Sequence, residues 1–188
     1  DLKNVMTSTT ILKDARSGNG AGRVIRNRNV AIIGGGSVAM DAANTCKALG
    51  ARRVYCIALE GMEELPADKD DLRAAIDNFV IIKPQCRVNE IVGRNGAVAG
   101  IRGTETEWIK PGLLVPSNVR EVPGTGFSLN VGAVIIAVGS GPDPQLRENL
   151  PSAKFTPRGL IRVNPKTQAT SVKGIFAGGD VVRGPALV

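Results

Sequence analysis

The sequence predicts an α/β fold, a parallel sheet flanked by helices with an antiparallel meander in the crossover after the third strand. Three observations predict it. An apolar run, Val30 to Ile33, delivers Gly34-Gly35-Gly36, behind which Val38, Ala42, Ala43, Cys46 and Leu49 recur at helical spacing. Gly50 ends that helix, and a second apolar run from Val54 to Leu59 completes a β-α-β unit. Two further apolar runs, Val80 to Ile82 and Val131 to Val138, stand either side of a stretch carrying the hairpin signal Asn95-Gly96.

The glycine triplet is the first candidate site. Gly34 allows a tight turn out of the strand, Gly36 lets backbone approach a pyrophosphate, and Ala39 lets helix and strand pack closely. Gly35, Ser37 and Val38 complete the turn, where the helix presents unpaired N–H groups and the positive end of its dipole. The competing reading is a structural strand–turn–helix of an unrelated α/β protein. Glu60, 24 residues beyond Gly36, is the acidic candidate for a ribose 2′-hydroxyl, against the alternative of an exposed loop carboxylate. Arg52 and Arg53 stand at the wrong end of their strand to reach a cofactor. Asp41, one turn into the helix, would repel a diphosphate if it faced one and is read as structural.

Taken in order, Leu2 to Ala15 reads as a helix or helix end, and Ser17 to Gly22 as a flexible joint and domain boundary. After the second strand, Gly61 and Pro66 mark a loop, and Asp68 to Asn78 a helix with Leu72, Ala75, Ile76 and Phe79 at three-to-four spacing. Arg87 to Val92 and Ala97 to Arg102 form the hairpin, Thr104 to Pro123 is irregular and extends that meander, and Phe127 to Leu129 is its last strand. Gly139, after the Val131 run, is either a close-approach position or a tight turn. Gln145 to Leu150 reads as a short helical turn and Gly159 to Val163 as a short strand. Gly174 to Val182 reads as an apolar strand bringing Gly178, Gly179 and Asp180 to its tip.

Composition narrows the function classes. The net charge of +7 comes from scattered lysines and arginines, and one Trp, one Tyr and four Phe leave little for base stacking, so no nucleic-acid partner is expected. A solvated basic surface, helped by an anionic cofactor or acidic electron-transfer partner, accounts for it. Cys46, Cys56 and Cys86 show neither C-x-x-C nor zinc spacing, so no metal site is expected; Cys46 and Cys56 fall on apolar faces and read as reduced core thiols of a cytoplasmic protein. There is no histidine, which excludes His-dependent nucleophilic or metal chemistry within these residues. No apolar stretch reaches membrane-span length, so no membrane partner is expected. Asp1 at the start and Gly184-Pro185-Ala186-Leu187-Val188 at the end are read as cuts through a longer polypeptide.

The order of motifs resembles the pyridine-nucleotide-dependent flavoprotein family typified by the small subunit of glutamate synthase and by the corresponding region of dihydropyrimidine dehydrogenase. The matching residues are Gly34 to Ala43, Leu49 to Val54, Leu65-Pro66-Ala67, Ala137-Val138-Gly139, Thr170-Ser171 and Gly174 to Pro185. The resemblance implies a Rossmann-like, three-layer NAD(P)-binding domain over residues 23–141, inserted between parts of an FAD-binding domain at 1–22 and 142–188. It implies that Asp180, after Gly179, contacts FAD and that Gly139 lies in a turn over the nicotinamide cofactor. Family members selective for NADPH carry paired arginines where this chain has Leu59 and Glu60, which tilts the choice between NADH and NADPH towards NADH. Ser37 replaces a common asparagine, and the family's first glycine fingerprint, for the FAD adenosine half, is absent from these residues.

The implied function is hydride passage between NAD(P)H and FAD, with onward transfer to an iron–sulfur domain or reductive catalytic subunit. No side chain here need act as acid, base or nucleophile, so no catalytic residue is expected. The alternative is a non-catalytic NAD-binding sensor or scaffold module.

Overall fold

The computed structural model describes residues 2–18, 20–139 and 144–184. The chain divides into two compact units, Asp1–Val138 and Gly139–Val188. The first contains a parallel five-stranded sheet in the order β1-β9-β2-β3-β4, from β1 (Val5–Thr7), β2 (Asn29–Ile33), β3 (Arg53–Ile57), β4 (Val80–Lys83) and β9 (Ala133–Ile136). Its second sheet is antiparallel, from β5 (Cys86–Arg94), β6 (Ala97–Trp108), β7 (Val119–Glu121) and β8 (Phe127–Leu129), with β6 pairing all three others.

Side-chain alternation along the parallel strands assembles three layers. Val30 and Ile32, Val54 and Cys56, Ala133 and Ile135 face one way and pack with α1 (Ser8–Ser17), α3 (Ser37–Ala48) and α4 (Lys69–Asp77), through Ile11, Met40, Ala43 and Ala75. Ala31, Ile57 and Val134 face the other way, against Val98, Ile101 and Val131 of the antiparallel layer. Apolar burial on both faces is what a parallel sheet demands, and it explains why these strands read as unbroken apolar runs.

Several elements depart from the sequence reading. Leu2 to Ala15, expected as helix, first forms β1, which pairs in parallel with β9, and only then α1, whose N-cap Thr7 accepts from Thr10 N at 3.2 Å. The expected joint leads into a further short helix, α2 (Ala21–Ile25), with Ile25 fully buried, because Gly18 and Gly20 at positive φ turn the chain sharply enough to start it. The opening segment, expected with the flanking pieces, thus contributes β1 and α1 to the first unit. β3 stops at Ile57, which leaves Leu59 and Glu60 in the following bend. The stretch from Thr104, expected as an irregular extension of the meander, does extend it, but as regular strand: β6 runs to Trp108, paired with β5 as far as Glu105 and with β7 from Thr106 to Trp108.

The second unit carries α5 (Pro144–Asn149) and α6 (Asp180–Arg183). The strands expected over 159–163 and 174–182 are reduced to isolated bridges, Phe155 with Ile161, Val163 with Thr170 and Ala169 with Phe176. An extended segment becomes a strand only where a neighbour offers a ladder, and the described residues of this unit offer single bridges. The expected contents of 140–143 and 185–188 lie outside the described residues.

Candidate functional site

At the C-terminal edge of the parallel sheet, Gly34 to Gly36 joins β2 to α3. Gly34 has φ +136°, its N–H donates to Ile57 O at 2.8 Å, and a Cβ there would run into the carbonyl oxygen of Ala137, just past β9. Gly35 is buried, and a Cβ on it would lie 2.7 Å from Leu65 Cδ2, 2.9 Å from Ala58 Cβ and 3.2 Å from Glu60 Oε2. Gly36 differs from both. It is extended, at φ −87° and ψ 174°, and nothing lies within 4 Å of its would-be Cβ, so neither backbone nor packing asks for glycine there.

Gly36 is also the N-cap of α3, and no side chain caps that helix. Ala39 N and Met40 N both donate to Gly36 O, whereas the N–H groups of Ser37 and Val38 meet no acceptor among the described residues. A pair of free N–H donors at the positive end of a helix, beside open space, can receive an anionic group. The Ser37 hydroxyl oxygen accepts from Asp68 N at 2.9 Å, which anchors the side chain and leaves its O–H to donate; Asp68 in turn caps α4 through Asp70 N. Ser37 therefore keeps two donors at the turn, its N–H and its hydroxyl proton. Val38 exposes 42% of its surface, a position the helical apolar count did not anticipate.

Glu60 follows β3 in the bend beside this turn. Its carboxylate reaches over Gly35 and makes no hydrogen bond or ion pair among the described residues. The 3₁₀ turn Met62–Glu64 then places Glu64, which accepts from Gly61 N at 3.1 Å and from Trp108 Nε1 at 2.8 Å. The Trp108 bond first, and the Gly61 bond second, hold the Glu64 carboxyl below the usual carboxylate range. Asp41 lies on the exposed side of α3, its carboxyl raised by desolvation and then by Asp71, with Arg16 opposing. Among the described residues its carboxylate makes no hydrogen bond or ion pair.

Glu60 and the glycine turn are thus brought together in the first unit. Gly139, Gly179 and Asp180 belong to the second. Gly139 has φ +66° and open space around it; Gly179, at φ +70°, precedes α6, and Asp180 opens that helix. Gly178 and Gly179 also face open space. A groove of about 640 Å³ lined by Asp14, Arg23, Arg26 and Leu49 lies at the opposite end of α3 and holds none of these residues.

The three thiols are buried. Burial pushes Cys46 up to about 12, and Cys56 likewise, with Glu60 adding to the Cys56 shift. Cys56 Sγ donates to Gly34 O at 3.0 Å and so helps fix the turn. Alkylating reagents at pH 8 are expected to leave both cysteines unmodified in the native chain and to label them only after unfolding, as intact-mass measurement would record. Among the described residues no cluster of His, Cys, Asp or Glu could hold a metal, and no helix is long and apolar enough to cross a membrane.

Over residues 1–188 the sequence matches the family described as pyridine nucleotide-disulphide oxidoreductase. The chain belongs to this family. Its members are NAD(P)-dependent flavin oxidoreductases. Similar curated relatives include the NADP(+)-dependent formate dehydrogenase subunit beta of Moorella thermoacetica, 34% identical over 87% of this chain and 23% of that protein. Another is the glutamate synthase [NADPH] small chain of Escherichia coli (strain K12), 30% identical over 87% of this chain and 36% of that one. The chain therefore spans about a quarter to a third of these relatives. Among solved structures, thioredoxin reductase of T. acidophilum aligns over 97% of this chain and 51% of its own, with TM-score 0.70 and 24% identity. FprA from Mycobacterium tuberculosis aligns over 100% and 55%, with TM-score 0.70 and 15% identity. The family fold is the Rossmann type, in agreement with the parallel sheet and its glycine turn.

Proposed function

We propose that this chain is the NAD(P)H-binding portion of a flavin-dependent oxidoreductase of the glutamate synthase small-subunit kind. The observation that carries the reading is the uncapped N-terminus of α3, open above Gly36, with the unpaired Glu60 carboxylate alongside. The N–H groups of Ser37 and Val38 would hold the pyrophosphate, Gly36 would admit it, and Glu60 would accept from the adenosine ribose. Gly34 and Gly35 would shape the turn for both. In the same reading residues 23–141, together with β1 and α1, form the nicotinamide domain, and the remainder joins a split FAD domain, with Gly139 near the nicotinamide side and Gly179 and Asp180 towards FAD. The bound cofactors supply hydride transfer between nicotinamide and flavin, and the chain contributes binding, orientation and exclusion of water. Onward electron transfer would involve an iron–sulfur domain or a reductive catalytic subunit. Reduced, buried thiols accord with a cytoplasmic location.

NADH is the favoured nucleotide. Two relatives are named for NADPH or NADP(+), yet here the segment after β3 carries Glu60, Glu63 and Glu64 and no cation. A 2′-phosphate would meet carboxylate rather than guanidinium. In calorimetric titration the chain is expected to bind NADH at least about tenfold more tightly than NADPH, and Glu60→Arg to reverse that order. An unmutated chain preferring NADPH would remove Glu60 as the selector; binding of neither nucleotide would overturn the site.

A further inference from the structure

The segment carrying Glu60 is tied at both ends to the antiparallel layer, which lies outside the β-α-β unit. At one end Glu60 O accepts from Gln85 N at 2.9 Å, and Gln85 O accepts from Thr106 N of β6 at 2.7 Å. At the other, Trp108 at the end of β6 donates its indole N–H to Glu64 Oε2 at 2.8 Å. The same Glu64 oxygen accepts from Gly61 N, which closes the 3₁₀ turn. Between the two ties the segment runs without a ladder partner, and its Leu65 and Glu60 side chains lie with Ala58 against Gly35. Its place over the glycine turn thus depends on β6 as well as on β3.

We propose that Trp108 is a positioning residue for nucleotide selection: through Glu64 it holds the 60–65 segment so that the Glu60 carboxylate stays over the glycine turn. This rests on the reading of Glu60 as the ribose partner. The binding energy of a ribose hydrogen bond is gained in full only when the acceptor is held in place beforehand, since a mobile carboxylate must be ordered at the moment of binding. Trp108 contributes no charge and need not touch the nucleotide, so its effect falls on the ribose that Glu60 accepts and not on the pyrophosphate.

The test titrates the unmutated chain, Trp108→Phe, Glu64→Met and Glu64→Gln with NADH and NADPH, and follows amide hydrogen exchange across residues 60–65. Trp108→Phe keeps an aromatic ring and removes only the N–H. It is expected to weaken NADH about fivefold, change NADPH by less than about twofold, and speed exchange in the segment about tenfold. Glu64→Met removes the acceptor of both the Trp108 and the Gly61 bonds and should weaken NADH at least as much. Glu64→Gln keeps an oxygen acceptor and should stay within about twofold of the unmutated chain. If the unmutated chain binds NADH and both Trp108→Phe and Glu64→Met leave its affinity and selectivity unchanged, the positioning role is overturned while the site stands. If the unmutated chain binds neither nucleotide, the site and this role fall together.

Discussion

Gly36→Asp is expected to abolish dinucleotide binding, by about 100-fold or more, and to leave the fold as stable as before or slightly more so. The backbone at Gly36 is ordinary extended chain that any residue adopts, and a Cβ would enter open space. An aspartate at this N-cap would accept hydrogen bonds from the first N–H groups of α3 and place a negative charge at the positive end of the helix, a gain of about 0.5 kcal/mol. Those N–H groups are the donors that a pyrophosphate would use, and the new carboxylate would repel it. Stability and binding therefore move in opposite directions. Urea unfolding alongside calorimetric titration with NADH reads both, and retained binding by a folded Gly36→Asp chain would remove the helix terminus from the site.

Gly34→Ala is expected to do the converse damage. At φ +136° an L-residue is strained, and its Cβ would be forced against the backbone carbonyl of Ala137, an atom that cannot turn aside as a side chain can. The cost is about 3 kcal/mol or more, seen as a lowered urea midpoint. A shift of under about 1 kcal/mol would show that the junction between β2 and β9 yields more easily than its packing indicates. Gly34 and Gly36 thus hold the same residue type for different reasons, the first for the fold and the second for what the fold receives.

The difference between those glycines sets how much was legible in the sequence. The turn, the helix behind it and the strands on either side are fixed by neighbours in the chain, and apolar runs with glycine punctuation reveal them. The hairpin was legible for the same reason: Asn95 and Gly96 take φ of +52° and +76°, the two-residue turn that this dipeptide favours. By contrast, β1 is three residues long and exists because β9, far along the chain, pairs with it. No local pattern announces such a strand. The regular run of β6 to Trp108 likewise follows from a distant partner, β7, in a stretch whose prolines and charges read as an irregular continuation of the meander.

At the site, the glycines and Glu60 could be placed from spacing and from the resemblance, because a phosphate-binding turn is a local device. The supporting bonds could not. Trp108 meets Glu64 across 44 residues, and Ser37 meets Asp68 across 31. Each is a single hydrogen bond between separate elements, which leaves no periodic trace. In the second unit, Gly174 to Val182 had the composition of a strand without the neighbour to make one.

The strand order β1-β9-β2 has a consequence for how the chain is made. β9 lies between β1 and β2 and is the last of the parallel strands to be synthesised. Until residue 136 has left the ribosome, β1 has no partner and the β2 edge of the sheet stays open. The antiparallel layer, complete by Leu129, has by then already emerged. The growing chain therefore waits with an apolar slot one strand wide, and β9 enters it like a keystone, joining β1 to β2 in one late, long-range step.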